Sequence, residues 1–234
     1  MDRLYIVIPA YNEEENIVEV AESWHEIVSK TGQASRLVVI DDGSKDNTYQ
    51  ILLKLQKQLP QLIPVTKENS GHGGTVLYGY NYALKEKADY VFQTDSDGQT
   101  IPEEFWQLWN KRGQFDIQIG YRKNRQDGFS RVLVTKTLRL VLFLIFRLWI
   151  TDANTPFRLM AAAPLGEYLT KIPDDYNLSN VLLTILYEKD KRAIRYVPIT
   201  FRPRQGGVNS INLKKITKIG WQAVKDFRSL KKLI

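Results

Sequence analysis

Asp95 and Asp97 stand one serine apart in the stretch YVFQTDSDGQTIP (residues 90–102), immediately after an apolar run. In extended backbone, residues two apart point to the same side, so the two carboxylates repel each other unless a cation sits between them. A hard divalent ion suits such a pair, because Mg²⁺ takes one or two carboxylates and leaves its other positions to water and substrate phosphate. The same residues also suit a turn whose acids cap the pattern IPEEFWQLW. A second acidic pair, Asp41–Asp42 in VVIDDGS, closes another apolar run; a carboxylate there can accept from a base N–H or a ribose hydroxyl. Between the pairs lies NSGHGGTVLYGY, either tight packing at a helix start or a loop that comes close to a substrate. It lacks the G-K-[ST] ending of a P-loop, and no G-x-G-x-x-G follows the first apolar run. His72 in this stretch reads as a loop histidine rather than a catalytic base.

The elements that carry these residues alternate in type. LYIVIPAY is a nearly continuous apolar run, as expected of a buried parallel strand, and NEEENIVEVAESWHEIVSK has helical periodicity with acids in its first turn. RLVVIDDGSKDNTYQILLKLQKQL repeats strand, acidic loop and capped helix; IPVTKENSGHGGTVLYGYNYALKEK and DYVFQTDSDGQTIPEEFWQLWNK give a third and a fourth unit. Alternating strands and helices predict a mainly parallel sheet flanked by helices, an α/β fold. Ligands of such sheets sit at the carboxyl ends of the strands, where residues 9–13, 41–44 and 95–99 fall. After FDIQIGYRKN, residues 129–151 read as an apolar helix carrying arginines, TDANTPFRLM as a loop, and AIRYVPITFRPRQGGVNSIN as a strand followed by a Gly/Asn-rich loop. Residues 211–234 read as an amphipathic helix. Ile216, Ala223, Val224, Phe227, Leu230 and Ile234 share one face, and Lys214, Lys218, Trp221, Lys225, Arg228 and Lys232 the other.

The 234 residues suffice for one sizeable domain, and 43% hydrophobic residues support a packed core. With no cysteine, neither disulfides nor a cysteine metal site can form, which fits a reducing compartment. The first residues do not resemble a signal peptide, and the apolar run at 140–146, fenced by Arg139 and Arg147, is far short of a membrane span of roughly 20 residues. The net charge of +7 is unevenly placed: residues 129–151 hold four basic and no acidic side chains, and residues 211–234 seven basic and one acidic. Because the basic excess coincides with apolar segments, it favours an anionic membrane surface over nucleic acid. No zinc finger, RNA-binding aromatic signature or helix-turn-helix spacing is visible, so no nucleic-acid partner is expected.

VIPAYNEEENI, VVIDDGSKDNT, NSGHGGT and TDSDGQTIP, in this order at strand ends, resemble the inverting family 2 glycosyltransferases of the GT-A fold, over residues 1 to about 160. DSDGQTIPEEF, GYR, DANTPFRLM and PITFRPRQGGVNSIN are similar to the branch that loads sugars onto polyprenyl phosphates, the relatives of dolichol-phosphate mannose synthase. The resemblance implies a GT-A domain over 1–210, including an interface helix at 129–151, and a basic helix at 211–234. It implies that Pro9, Tyr11, Glu13 and Asp41 hold the nucleotide, with Asp42 near the ribose or diphosphate. Asp95, Asp97 and Gln99 would gather around Mg²⁺ or Mn²⁺, Asp95 also touching the nucleotide sugar. Arg122 and Arg131 would receive the acceptor phosphate as catalytic residues beside Asp97; Asp152 and Arg158 would line the acceptor side, and Arg204 would close over the diphosphate. Two positions depart from the family pattern. His72 stands where the family loop often has lysine, and the closing loop reads RQGGVNSIN rather than R-x-x-G-x-S-K, which leaves the roles of Arg202 and Arg204 open.

The expected reaction is in-line transfer of a hexose from a nucleotide sugar, UDP-glucose or another UDP-hexose ahead of GDP-mannose, to undecaprenyl or dolichyl phosphate. A phosphate monoester, with a second pKa of about 6, needs little help from a base, and arginine forks bind it bidentately. The expected location is cytoplasmic and peripheral, at the inner face of the cell membrane, with homo-oligomerisation left open. Two other readings compete. One is a soluble transferase acting on a glycan hydroxyl, for which Asp152 would be the candidate base; the other is a non-catalytic nucleotide-binding membrane module.

Overall fold

The computed structural model describes residues 2–122, 139–174, 176–202 and 227. Arg131, Arg204 and, apart from Phe227, the helix expected over 211–234 lie outside the described residues. Phe227 is helical and fully buried, its ring 6.1 Å from that of Phe146.

The four apolar runs of the N-terminal half form β1 (Leu4–Ala10), β2 (Arg36–Asp41), β3 (Leu62–Thr66) and β4 (Tyr90–Gln93). They are joined by helices α1 (Ile17–Thr31), α2 (Thr48–Leu55) and α3 (Gly71–Lys85). The short α4 (Trp106–Trp109) leads to β5 (Ile117–Arg122). Residues 139–146 are helical (α5), followed by β6 (Arg158–Ala161), α6 (Ala162–Leu169), α7 (Ser179–Lys189) and β7 (Ile194–Ile199). Among the described residues the strands make one sheet in the order β3-β2-β1-β4-β6-β5-β7. Every pairing is parallel except those of β6, which runs against both β4 and β5.

Alternation along β1 divides the core between the two sheet faces. Leu4, Ile6 and Ile8 meet α1 and the aromatic cluster of Trp24, Phe92, Phe105 and Phe157, whereas Tyr5 and Val7 meet α3. Ring centroids in the aromatic cluster lie 4.8–6.5 Å apart in tilted or edge-on contacts, the arrangement that aromatic quadrupoles favour. Gly79 of α3 allows the close approach of that helix, since a Cβ there would lie 2.3 Å from Val7 Cγ1. Pro9 is tolerated inside a central strand because pairing with β4 ends at Val7↔Gln93, while β2 still pairs as far as Ala10↔Asp41.

Two expectations from the sequence require correction. Residues 158–161 belong not to a loop but to β6, so the loop after residue 151 ends at Phe157. The apolar pattern carries a helix to residue 151, but the backbone leaves α5 after Phe146. Arg147 adopts φ +62° while its N–H still bonds the Phe143 carbonyl at 2.9 Å. The left-handed residue turns the chain back, so that Trp149 packs edge-on to Phe143 at 5.8 Å, and Arg139 donates to the Thr151 carbonyl. Leu142 faces the core; Leu140, Phe143, Leu144 and Trp149 are exposed, the last two by 58% and 67%. No helix among the described residues is long and apolar enough to cross a membrane.

Candidate active site

The parallel strands all end at one edge of the sheet, and the reversed β6 begins there, with Arg158 opposite Gln93 and Ile119. That edge therefore collects the segment after β1 (Tyr11 to Glu13), Asp41–Asp42 at the end of β2, Lys67 after β3, Asp95 to Gln99 after β4, Arg122 at the end of β5 and the 151–157 loop leading into β6. The antiparallel strand is what brings Asp152 to this edge.

The segments after β1 and β2 are stitched together. The Asn12 N–H donates to Ser44 Oγ (2.9 Å) and the Lys45 N–H to Asn12 Oδ1 (2.8 Å); the Glu14 N–H donates to Asp46 (3.1 Å) and the Asn47 N–H to Glu14 (3.0 Å). Asn12 sits at φ +54° to make this turn. Glu13 is nearly buried, its N–H held by Thr48 Oγ1 and its carboxylate by Asn16, while Tyr11 is exposed on the rim.

Asp41 and Asp42 are both buried. Asp41 accepts from the Thr66 hydroxyl (2.8 Å) and the Ser44 N–H (3.2 Å). Asp42 pairs with Lys67 and accepts the Ser70 and Gly71 N–H groups, each at 2.9 Å, so a carboxylate on one strand end anchors the start of α3. Burial alone would raise the Asp42 pKa; Lys67 and the Ser70 N–H outweigh it and hold the carboxyl below its ordinary value. The glycines of GHGG serve packing: a Cβ on Gly73 would lie 2.4 Å from the Tyr176 carbonyl oxygen and 2.5 Å from that of Asn177.

Asp95 is partly exposed and faces His72 from α3, whose Nε2 lies 3.0 Å from Asp95 Oδ1. Desolvation pulls the His72 pKa down, but Asp95, backed by Asp42 and Asp97, more than compensates, so it lies above the usual value. Asp97 accepts the Gln99 N–H at 3.1 Å. Gln99 also binds the end of the β7 segment: its side-chain amide donates to the Arg202 carbonyl (3.1 Å), and the Arg202 N–H donates to the Gln99 carbonyl (2.8 Å). Arg122 lies over the Phe201 ring, 3.7 Å from its centroid.

Arg158 is fully buried, its guanidinium donating to the carbonyls of Ala153, Thr155 and Asn180 and to Thr184 Oγ1. It frames the 152–157 loop from beneath. Asp152, nearly buried, accepts the Asn154 N–H at 3.3 Å.

Three contacts of the site are not readable from the motifs: Lys67 with Asp42, His72 with Asp95, and Gln99 with Arg202. Lys67 carries a usable signal, since it directly follows β3, much as Asp41 closes β2 and Asp95 stands two residues past β4.

No three His, Asp or Glu side chains among the described residues converge tightly enough to cage an ion by themselves. The donor set fits instead an ion that completes its shell with phosphate oxygens and water, as Mg²⁺ and Mn²⁺ do at oxygen-rich sites.

Comparison with known proteins agrees with this geometry. The fold is similar to that of glucosyl-3-phosphoglycerate synthase from Mycobacterium tuberculosis, solved with Mn²⁺, UDP and phosphoglyceric acid. The TM-score is 0.69 and the identity 19%, over 98% of this chain and 78% of that one. The same enzyme with Mg²⁺ and UDP gives a TM-score of 0.67 at 18% identity, over 98% and 79%. In sequence, the chain is 27% identical over 217 residues to UDP-N-acetylglucosamine–dolichyl-phosphate N-acetylglucosaminyltransferase of Methanococcus voltae, covering 84% of each. It is 28% identical over 143 residues to undecaprenyl-phosphate 4-deoxy-4-formamido-L-arabinose transferase of Salmonella paratyphi B, covering 60% of this chain but only 43% of that protein. The family model for glycosyl transferase family 2 matches residues 5–155, well over half of the chain and all of the acidic strand ends described above. The chain belongs to glycosyl transferase family 2 and is a glycosyltransferase of the GT-A fold.

Proposed function

We propose that this enzyme moves a hexose from a UDP-sugar to a polyprenyl phosphate at an anionic membrane surface, with a divalent ion at Asp95 and Asp97. One observation carries the reading: the acidic strand ends and Arg122 share a sheet edge in a chain that also presents an arginine-flanked apolar patch of Leu140, Phe143, Leu144 and Trp149. An isoprenoid acceptor stays in the bilayer, so an enzyme for it must present apolar and cationic surface there. The names of the Methanococcus and Salmonella relatives, one specifying dolichyl and the other undecaprenyl phosphate, support the acceptor class. The UDP and UDP-glucose complexes of the Mycobacterium enzyme support the donor.

Tyr11, Glu13 and Asp41 hold the nucleotide on the stitched loops after β1 and β2, with Pro9 setting the strand end from which they project. Asp42 positions α3 through Lys67, Ser70 and Gly71, and so shapes the diphosphate side. Asp95, Asp97 and Gln99 would hold Mg²⁺ or Mn²⁺, which when bound supplies positive charge against the leaving nucleoside diphosphate. Arg122 and Arg131 grip the acceptor phosphate, already ionised at neutral pH, and aim its oxygen at the anomeric carbon from the face opposite the leaving group. Asp152 borders the acceptor side, Arg158 holds its loop in place, and Arg204 closes over the diphosphate.

Radiolabelled UDP-glucose, UDP-N-acetylglucosamine and GDP-mannose, each incubated with enzyme and undecaprenyl phosphate, provide the test. The expected result is label in the organic phase from a UDP-sugar. Label confined to water-soluble glycan would overturn the polyprenyl reading.

A further inference from the structure

His72 is half exposed, belongs to a stretch otherwise made of small residues, and faces an acidic side chain from a different element. Its place is fixed on three sides. The N–H groups of Ser70 and Gly71 are held by Asp42, Gly71 takes φ +78°, and Gly73 is wedged against the backbone of residues 176–177. The ring reaches Asp95 with Nε2 3.0 Å from Oδ1. Two neighbouring ligands of an octahedral ion, each about 2.1 Å from it, are separated by about 3 Å. The spacing that holds a shared proton therefore also matches that of two ligands on one ion, once the ring turns its nitrogen from Oδ1 toward the ion.

We propose that His72 is a nitrogen ligand of the divalent ion, sharing it with Asp95; this rests on the metal-dependent reading above. An imidazole donor changes which ion the site prefers. Mg²⁺ favours an all-oxygen shell, whereas the later first-row ions accept nitrogen readily. The site is thereby biased toward Mn²⁺ over Mg²⁺. Because His72, Asp95 and Asp97 do not converge on one point, Asp97 reaches the ion through water, and the diphosphate and water take the remaining positions. A lysine in place of His72 would contribute a fixed positive charge and no lone pair, so this substitution exchanges a charge for a ligand.

The test is pulsed electron paramagnetic resonance of Mn²⁺ bound to the full chain with UDP, read for ¹⁴N modulation from a directly bound imidazole. The sequence has two histidines, so the assignment needs only two variants. The wild type and His25→Gln should show the nitrogen coupling, and His72→Gln should lose it while still binding Mn²⁺. The Mn²⁺ affinity of His72→Gln, measured by titration in the presence of UDP, should fall at least about tenfold, with a smaller loss for Mg²⁺. Mn²⁺ bound without nitrogen coupling in the wild type would overturn the ligand assignment and leave the metal reading standing. So would equal losses for both ions, which would reduce His72 to orienting Asp95. Failure of Mn²⁺ to bind at all with UDP would overturn both.

Discussion

Lys67 and Asp42 form an ion pair almost sealed from solvent, their side chains 14% and 5% exposed, between the ends of two neighbouring parallel strands. Removing one partner of such a pair leaves a buried charge uncompensated and costs about 3–5 kcal/mol. Lys67→Met should therefore lower the unfolding free energy at neutral pH by that order, measured by urea denaturation. Because the Asp42 pKa is depressed in the folded state, its contribution is present above its unfolded pKa of about 3.9 and is lost as pH falls through the lower folded value. The gap between wild type and Lys67→Met should narrow below about pH 4. A gap that stays constant down to pH 2.5 would show that the pair contributes nothing.

Asp95→Asn and Asp97→Asn should each reduce sugar transfer by at least about a hundredfold, the order seen when a charge-stabilising group is removed from a reacting centre. Both residues are partly exposed on the loop after β4, so circular dichroism and thermal midpoint should change little. Full turnover by the wild type in excess EDTA would eliminate the metal role.

Arg122→Ala and Arg131→Ala should raise the KM for polyprenyl phosphate by about ten- to a hundredfold, since a charge-assisted contact is worth about 1.5–3 kcal/mol. The KM for the nucleotide sugar should move by much less. Equal changes for both substrates would place the arginine on the donor side.

The fourth expectation concerns the exposed patch. Leu144→Asp combined with Trp149→Asp should reduce cosedimentation with anionic vesicles by at least tenfold, because each large apolar side chain contributes about 1.5–3 kcal/mol on burial. Replacing Lys214, Lys218, Lys225 and Lys232 with glutamate should abolish binding at low salt, at about 1 kcal/mol per basic residue. Wild type that stays in the supernatant with such vesicles would remove membrane docking from the mechanism.

The N-terminal half of the fold is legible in the sequence because parallel strands buried on both faces read as unbroken apolar runs. β6 is not, since its four residues, RLMA, begin with an arginine and follow a polar loop. Their strand character comes from filling the gap between β4 and β5. The end of α5 is hidden for another reason: the apolar run continues through Leu148, Trp149 and Ile150, while the turn depends on the positive φ of Arg147. The acidic pairs declare themselves by standing at strand ends. What each carboxylate touches depends on strand order, which places the end of β3 beside β2 and the start of α3 beside the end of β4. No local pattern encodes that. Arg158 illustrates the limit, since a motif cannot tell an exposed arginine from one buried beneath its own loop.

The reversal of β6 has a consequence during synthesis on the ribosome. The outer edge of β4 pairs with β6 from Tyr90↔Ala161 to Gln93↔Arg158, so 68 further residues must be made after Gln93 before that edge can be fully covered. At about 5–20 residues per second, the wait is about 3–14 s. Throughout it, the unpaired backbone of an apolar strand containing Val91 and Phe92 is open to pairing with another nascent chain. Arrested chains exposing residues 1–130 should cross-link to a ribosome-bound chaperone through a photoreactive group at Val91, and chains exposing residues 1–202 should not. Equal cross-linking at both lengths would show that β6 does not close the edge.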